Sequence, residues 1–95
     1  MFVDGRRITQ GEELDADVAI VGSGAAGITL ARELGASGVR VLVIESGDMR
    51  LDGPTQALYG GTSVGLPYFP LTSARLRYFG GSTNHWSGTC RPFDE

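Results

Sequence analysis

The sequence predicts an α/β chain: a parallel strand–helix–strand unit followed by a long glycine-rich loop segment. Three observations carry that expectation. The apolar run Val18-Ala19-Ile20-Val21 leads into a glycine turn, a segment of helical periodicity follows, and a second apolar run from Val39 to Ile44 closes on an acid, Glu45. Continuous β-branched runs of this kind suit a parallel sheet covered on both faces.

Each element has its own reason. Residues 2–8 read as a short strand before a polar connection, Thr9 to Asp15. The helix should run from about Ala25 to Leu34, with Gly27, Leu30, Ala31 and Leu34 on one side of the wheel. Thr29, Arg32 and Glu33 fall on the other. Gly35 and Gly38 should end it, since glycine enters left-handed conformations freely. The two strands are far enough apart in sequence for a helical crossover, which should be right-handed.

After Gly47 the periodicity fails. Residues 48–74 carry Gly53-Pro54, Gly60-Gly61, Gly65, Pro67 and Pro70, with a brief helical stretch around Thr55 to Tyr59. A loop of this length is uncommon inside a compact domain, so it reads as a functional excursion or as a segment packing on something else. Arg75 to Tyr78 reads as a short helix or strand leading into Gly80-Gly81.

Composition narrows the function classes. The chain has 95 residues, 41% apolar and 20% charged, which are globular values. A formal charge of −3 without a basic cluster argues against a nucleic-acid partner. No segment reaches the roughly 18–20 apolar residues of a membrane span. Arg6-Arg7 is followed by a polar stretch rather than an apolar leader, so the expected compartment is the cytoplasm. Cys90 is the single cysteine, which leaves a small buried hydrophobe as its simplest reading.

The turn Gly22-Ser23-Gly24-Ala25-Ala26-Gly27 has the spacing GxGxxG, with a strand before it, an amphipathic helix after it, and Glu45 at the end of the next strand. That is the Rossmann-like layout for an adenine dinucleotide. Gly22 turns the chain sharply, Gly24 admits the pyrophosphate, and Gly27 lets the helix sit close on the sheet. The N–H groups of Ala25 and Ala26 and the helix dipole face the phosphates. Glu45 should accept hydrogen bonds from the ribose hydroxyls and repel a 2′-phosphate, which disfavours NADP. The bland alternative, ordinary turn duty and a solvated strand-end charge, does not explain the joint spacing. The βαβ unit spans about 16–46.

A second concentration of chemistry covers about 75–90: Arg75-Leu76-Arg77-Tyr78-Phe79-Gly80-Gly81-Ser82-Thr83-Asn84-His85-Trp86-Ser87-Gly88. A double glycine with Ser, Thr and Asn suits a polar, phosphate-bearing or flavin-ring ligand. Core packing is the simpler role for Tyr78, Phe79 and Trp86 taken singly.

Together the two motifs, DVAIVGSGAAGITLAREL with VLVIESG and then RLRYFGGSTNHWSG, resemble the glucose–methanol–choline (GMC) oxidoreductases over nearly the whole chain. The resemblance implies FAD, with Gly22, Gly24, Glu45 and Ser46 at the ADP half and Arg77, Gly80, Gly81, Ser82, Asn84, His85 and Trp86 along the flavin. The His-Trp pair is similar to the pyranose-oxidase branch, whose histidine is bonded to the flavin 8α-methyl. Covalent flavinylation of His85, noncovalent contact and a structural role all stay open.

The function so implied is oxidation of an alcohol group, of a sugar or glycoside for instance, by hydride transfer to flavin N5. The small-molecule substrate, the catalytic base and the electron acceptor or partner subunit are not legible, and no metal site is. Two strands are too few for a doubly wound sheet, so the chain reads as the N-terminal piece of a larger enzyme, an incomplete Rossmann-like FAD-binding fold that is inactive alone. The alternatives are a non-catalytic nucleotide-binding fragment and an NAD-dependent dehydrogenase.

Overall fold

The computed structural model describes residues 1–85. Strands β1 (Val18–Val21) and β2 (Val41–Ile44) pair in parallel, with Val18 opposite Val41 and Val21 opposite Ile44. Helix α1 (Ala25–Ala36) makes the connection and packs on both strands. The pairing is extended at the start, where Asp17 and Val18 N–H groups donate to the Arg40 carbonyl. It is extended at the end by Gly22 N–H to the Ile44 carbonyl, 2.7 Å. The strand–helix–strand unit is therefore the one expected.

Where α1 begins and what it buries differ in detail from the wheel. The half-buried positions are Gly27, Ile28, Ala31 and Leu34, while Leu30 is 49% exposed. Three of the four expected positions hold, and Ile28 takes the place of Leu30. The helix also outlasts Leu34. Gly35 stays helical, and the left-handed residue that stops α1 is Gly38, with φ +82°. Ser37 secures that end, its Oγ donating to the Glu33 carbonyl at 3.1 Å.

Side chains alternate across a strand, so the helix covers only the Val18/Ile20 and Val41/Val43 face. Ile20, at 8% exposure, is the one deeply buried apolar side chain among the described residues. On the opposite face Val21 is 85% exposed and Ile44 49%. Covering on both faces, as the sequence pattern predicts, is thus not met among the described residues.

Outside this unit three expectations change. Residues 2–8 form no strand; Gly5–Arg7 is a 3-10 turn. The Asp4 carboxylate accepts from the Arg6 backbone N–H at 3.0 Å and grips its guanidinium at 2.8 Å, and local bonding of this kind outcompetes an unpaired strand. The helical stretch in the loop is α2 (Gly53–Ala57), displaced toward the N-terminus because Asp52 caps it, Oδ1 accepting from Thr55 N–H at 2.9 Å, and Pro54 fits the first turn. A further turn of helix, α3 (Leu71–Ala74), follows Pro70. Arg75 to Tyr78 is neither helix nor strand.

Candidate functional site

The first glycine turn is built on close approach. Gly22 has φ +96°, a conformation that side chains resist. A Cβ on Gly27 would overlap the Gly22 carbonyl oxygen and stand 3.5 Å from the Ile20 side chain. Helix, turn and core strand thus meet at one atom position. Gly24 is different: its φ is ordinary and no protein atom lies within 4 Å of where a Cβ would be. It caps α1 without any side-chain bond, and the first helical bond is Ile28 N–H to the Gly24 carbonyl. The N–H groups of Ala25 and Ala26 therefore have no bonding partner among the described residues.

Glu45 ties the turn to the end of β2. Its Oε2 accepts from Ser23 N–H at 2.8 Å and Ser23 Oγ at 2.7 Å. Its Oε1 accepts from Gly47 N–H at 2.9 Å and Ser46 Oγ at 3.4 Å. Burial would push this carboxyl up, but the donors from Ser23, Gly47 and Ser46 together outweigh it and hold it below the usual carboxylate value. Ser23 is fully buried. Neither Ser23 nor Gly47 stands out in the sequence, because the motif spacing marks only the glycines and the acid.

The second glycine segment docks directly on the first. Gly80 N–H donates to the Ser23 carbonyl at 3.0 Å, and Phe79 N–H to the Asp48 carbonyl at 3.0 Å. A Cβ on Gly47 would overlap the Arg77 and Tyr78 backbone, and one on Gly81 would lie 3.4 Å from Gly24 Cα. Gly80 and Gly81 both have positive φ, +88° and +57°. Their turn is stapled internally. Asn84 Nδ2 donates to the Phe79 and Gly81 carbonyls, Thr83 Oγ1 donates to the Gly80 carbonyl, and Ser82 Oγ accepts from Leu76 N–H at 3.1 Å.

Between the two segments lies an open cleft of about 300 Å³. Of the residues singled out in the sequence, Gly22, Gly24, Glu45, Ser46, Arg77, Gly81 and Ser82 line it. Ala25, Ala26 and Gly27 stand behind it in the first turn of α1. Gly80 and Asn84 support its rim. His85 ends the 3-10 turn Gly81–His85, exposed and not among the lining residues. Trp86 and Cys90 lie outside the described residues. Tyr59, which the sequence pattern did not mark, joins the lining.

This geometry defines an adenine-dinucleotide unit: a positive-φ glycine turn, open N–H groups at a twelve-residue helix, and an acid at the end of the adjacent parallel strand. The vacant side of Gly24 and the unbonded first turn fit a pyrophosphate.

Comparison with known proteins specifies the cofactor. Residues 15–60 match the family model of an FAD binding domain. The cofactor is FAD. An 84-residue match at 44% identity, covering 78% of this chain and 15% of the relative, is to 3-(3-hydroxy-phenyl)propionate/3-hydroxycinnamic acid hydroxylase of Mycobacterium sp. (strain JLS). The enzyme of the same name from Mycolicibacterium gilvum (strain PYR-GCK) is 56% identical over 43 residues, 45% of this chain and 8% of the relative. Hydroxylase 1 of that name from Burkholderia vietnamiensis (strain G4 / LMG 22486) is 37% identical over 84 residues, 82% of this chain and 12% of the relative. The chain spans only 8% to 15% of the length of these relatives. No solved structure matches it significantly.

These relatives overturn the GMC resemblance and with it the alcohol- or sugar-oxidising function. The physical reason is visible in the site. The GxGxxG turn and Glu45 describe how a backbone holds an adenine dinucleotide, whatever reaction follows. The second segment, which carried the GMC resemblance, uses Ser82, Thr83 and Asn84 on its own backbone and Gly80 on Ser23. Those are requirements of the scaffold rather than marks of one chemistry. The covalent link through His85 rests on that resemblance alone. The FAD match also answers the NAD-dehydrogenase alternative. Among the described residues there is no metal-binding cluster and no helix long and apolar enough to cross a membrane.

Proposed function

We propose that this chain is the FAD-binding portion of a flavin-dependent hydroxylase acting on a small aromatic acid. One observation carries the reading: each of the relatives just described is named for hydroxylation of 3-(3-hydroxyphenyl)propionate and 3-hydroxycinnamic acid, and the matched FAD segment contains the cleft-forming turn. In this reading Gly22, Gly24 and the N–H groups of Ala25 and Ala26 hold the pyrophosphate. Glu45 and Ser46 hold the adenosine ribose, which shares the carboxylate with Ser23 and Gly47. The Gly80-Gly81 turn closes the cleft and carries the cofactor toward its flavin end.

Bound FAD supplies the redox chemistry of hydroxylation. The chain's own contribution is binding and orientation, since the one carboxylate lining the cleft among the described residues, Glu45, is held by Ser23 and Gly47. The test is to supply the full-length protein of which this chain is the FAD-binding portion with 3-(3-hydroxyphenyl)propionate, a reduced nicotinamide and isotopically labelled dioxygen. A product heavier by one labelled oxygen is the expected result. No oxygenated product from a protein that carries bound FAD would overturn the hydroxylase assignment.

A further inference from the structure

Beyond Glu45 and Ser46 the cleft is closed by Tyr59 and Arg77. The Arg77 guanidinium carbon stands 5.1 Å from the centre of the Tyr59 ring, within cation–π range. Its Nε donates to Ser46 Oγ at 2.9 Å. Its backbone N–H is held by Gln56 Oε1 at 3.0 Å, and Gln56 Nε2 binds the Thr72 and Arg75 carbonyls at 2.7 and 2.6 Å. Gln56 belongs to α2 and Tyr59 lies just past its end, so this short helix sets both the backbone and the ring face on which Arg77 rests. Among the described residues the two terminal nitrogens of Arg77 bond to nothing, and no carboxylate pairs with it.

We propose that Arg77, backed by Tyr59, forms the adenine subsite of the FAD cleft, its guanidinium stacked on the base. The proposal rests on the FAD assignment and extends it. With the pyrophosphate at Gly22 and Gly24 and the ribose at Glu45, the next group along the cofactor is adenine. Arg77 and Tyr59 line the cleft, and Arg77 bonds Ser46, the neighbour of Glu45. The phosphates are already served by the turn and the helix start, whereas Arg77 is tied down on the ribose side of the cleft. A planar, weakly hydrated guanidinium suits a base face, and a lysine ammonium does not. Anchoring of the backbone at Gln56 and of the side chain at Ser46 and Tyr59 restrains Arg77 before the nucleotide arrives, which lowers the entropy lost on binding.

The test titrates FAD and ADP into the purified protein and into Arg77→Lys, Tyr59→Ala and Tyr59→Phe. Arg77→Lys keeps the charge but loses the plane and the Nε bond, and should weaken both ligands by roughly five-fold or more. Tyr59→Ala should weaken them as well, and Tyr59→Phe, which keeps the ring, should bind like the parent. If Arg77→Lys binds ADP as tightly as the parent, charge alone matters and the stacking proposal is overturned. Circular dichroism identifies a Tyr59→Ala protein that fails to fold, in which case Arg77→Lys decides. A parent that binds neither ligand overturns the FAD assignment itself, and this subsite with it.

Discussion

Two glycine turns meet at the cleft; both hold left-handed glycines, and they differ in what else confines them. At the first, Gly27 faces its own neighbour: a Cβ would strike the Gly22 carbonyl, five residues back along the same strand–turn–helix. At the second, Gly80 and Gly81 have left-handed backbones, and Gly81 comes to rest against Gly24, far away in sequence. The first turn is constrained locally and the second by docking. Ser23 joins them, its N–H and hydroxyl given to Glu45 and its carbonyl taken by Gly80. A motif of local origin can be read from its spacing, whereas a docked one shows its purpose only when its partner is in place.

Substitutions can separate the two. Gly27→Val should have the largest effect, because the carbonyl it strikes, that of Gly22, is backbone and cannot rotate away. We expect destabilisation of about 3 kcal/mol or more, near or beyond the usual overpacking cost, with FAD binding lost. Denaturant unfolding and an FAD titration measure it; a stable, FAD-binding Gly27→Val protein would refute the close approach. Gly47→Ala strikes the Arg77 and Tyr78 backbone instead, so it should undock the second segment and spare the strand–helix–strand unit. The expected cost is about 1–3 kcal/mol. Hydrogen exchange should show faster exchange at Phe79 and Gly80 N–H with the β1–β2 amides still protected. Equal loss at both would mean that the turns are not separable.

A smaller effect is expected from the carboxylate between them. The Glu45 carboxyl is held below its ordinary value of 4.5. Its contribution to stability is therefore fully present above that value and is lost as the pH falls below it, through the lower folded-state value. Glu45→Gln should weaken the protein near neutrality and flatten this acid limb in unfolding midpoints measured from about pH 7 to about pH 3. An unchanged acid limb would show that the Ser23 and Gly47 bonds do not discriminate the charged form. The smallest effect belongs to Asp4. Its carboxyl is lowered to about 2, chiefly by the side-chain hydrogen bond from Arg6, yet the pair lies at the surface and is screened by water and salt. Asp4→Asn should leave the thermal midpoint where it is.

How far the sequence reaches can be judged at particular residues. Val18 to Val21 appear as a strand with the predicted bounds, since a β-branched run ending in a glycine needs no distant information. In the helix stripe Gly27, Ala31 and Leu34 turn inward as the wheel has them, but Ile28 replaces Leu30, because which flank is covered depends on how the helix lies across the strands. Residues 2–8 could not be placed, since whether an apolar-edged segment becomes a strand depends on a neighbour to pair with. Tyr59 and Gln56 escaped notice because nothing local marks them; α2 and the segment after α3 bring them to the cleft.

By itself, then, the sequence determined the strand–helix–strand unit, the glycine turn and the adenine-dinucleotide purpose, because these follow from strand periodicity, glycine's conformational range and an acid at a fixed spacing. Tertiary structure alone decided that Glu45 is engaged by Ser23 and Gly47, that Gly80 closes on Ser23, and that Arg77 lies over Tyr59. Apart from the local bond between Glu45 and Gly47, those contacts join residues 18 to 57 positions apart. Local preference cannot encode them, for their stability exists only once the chain has closed upon itself.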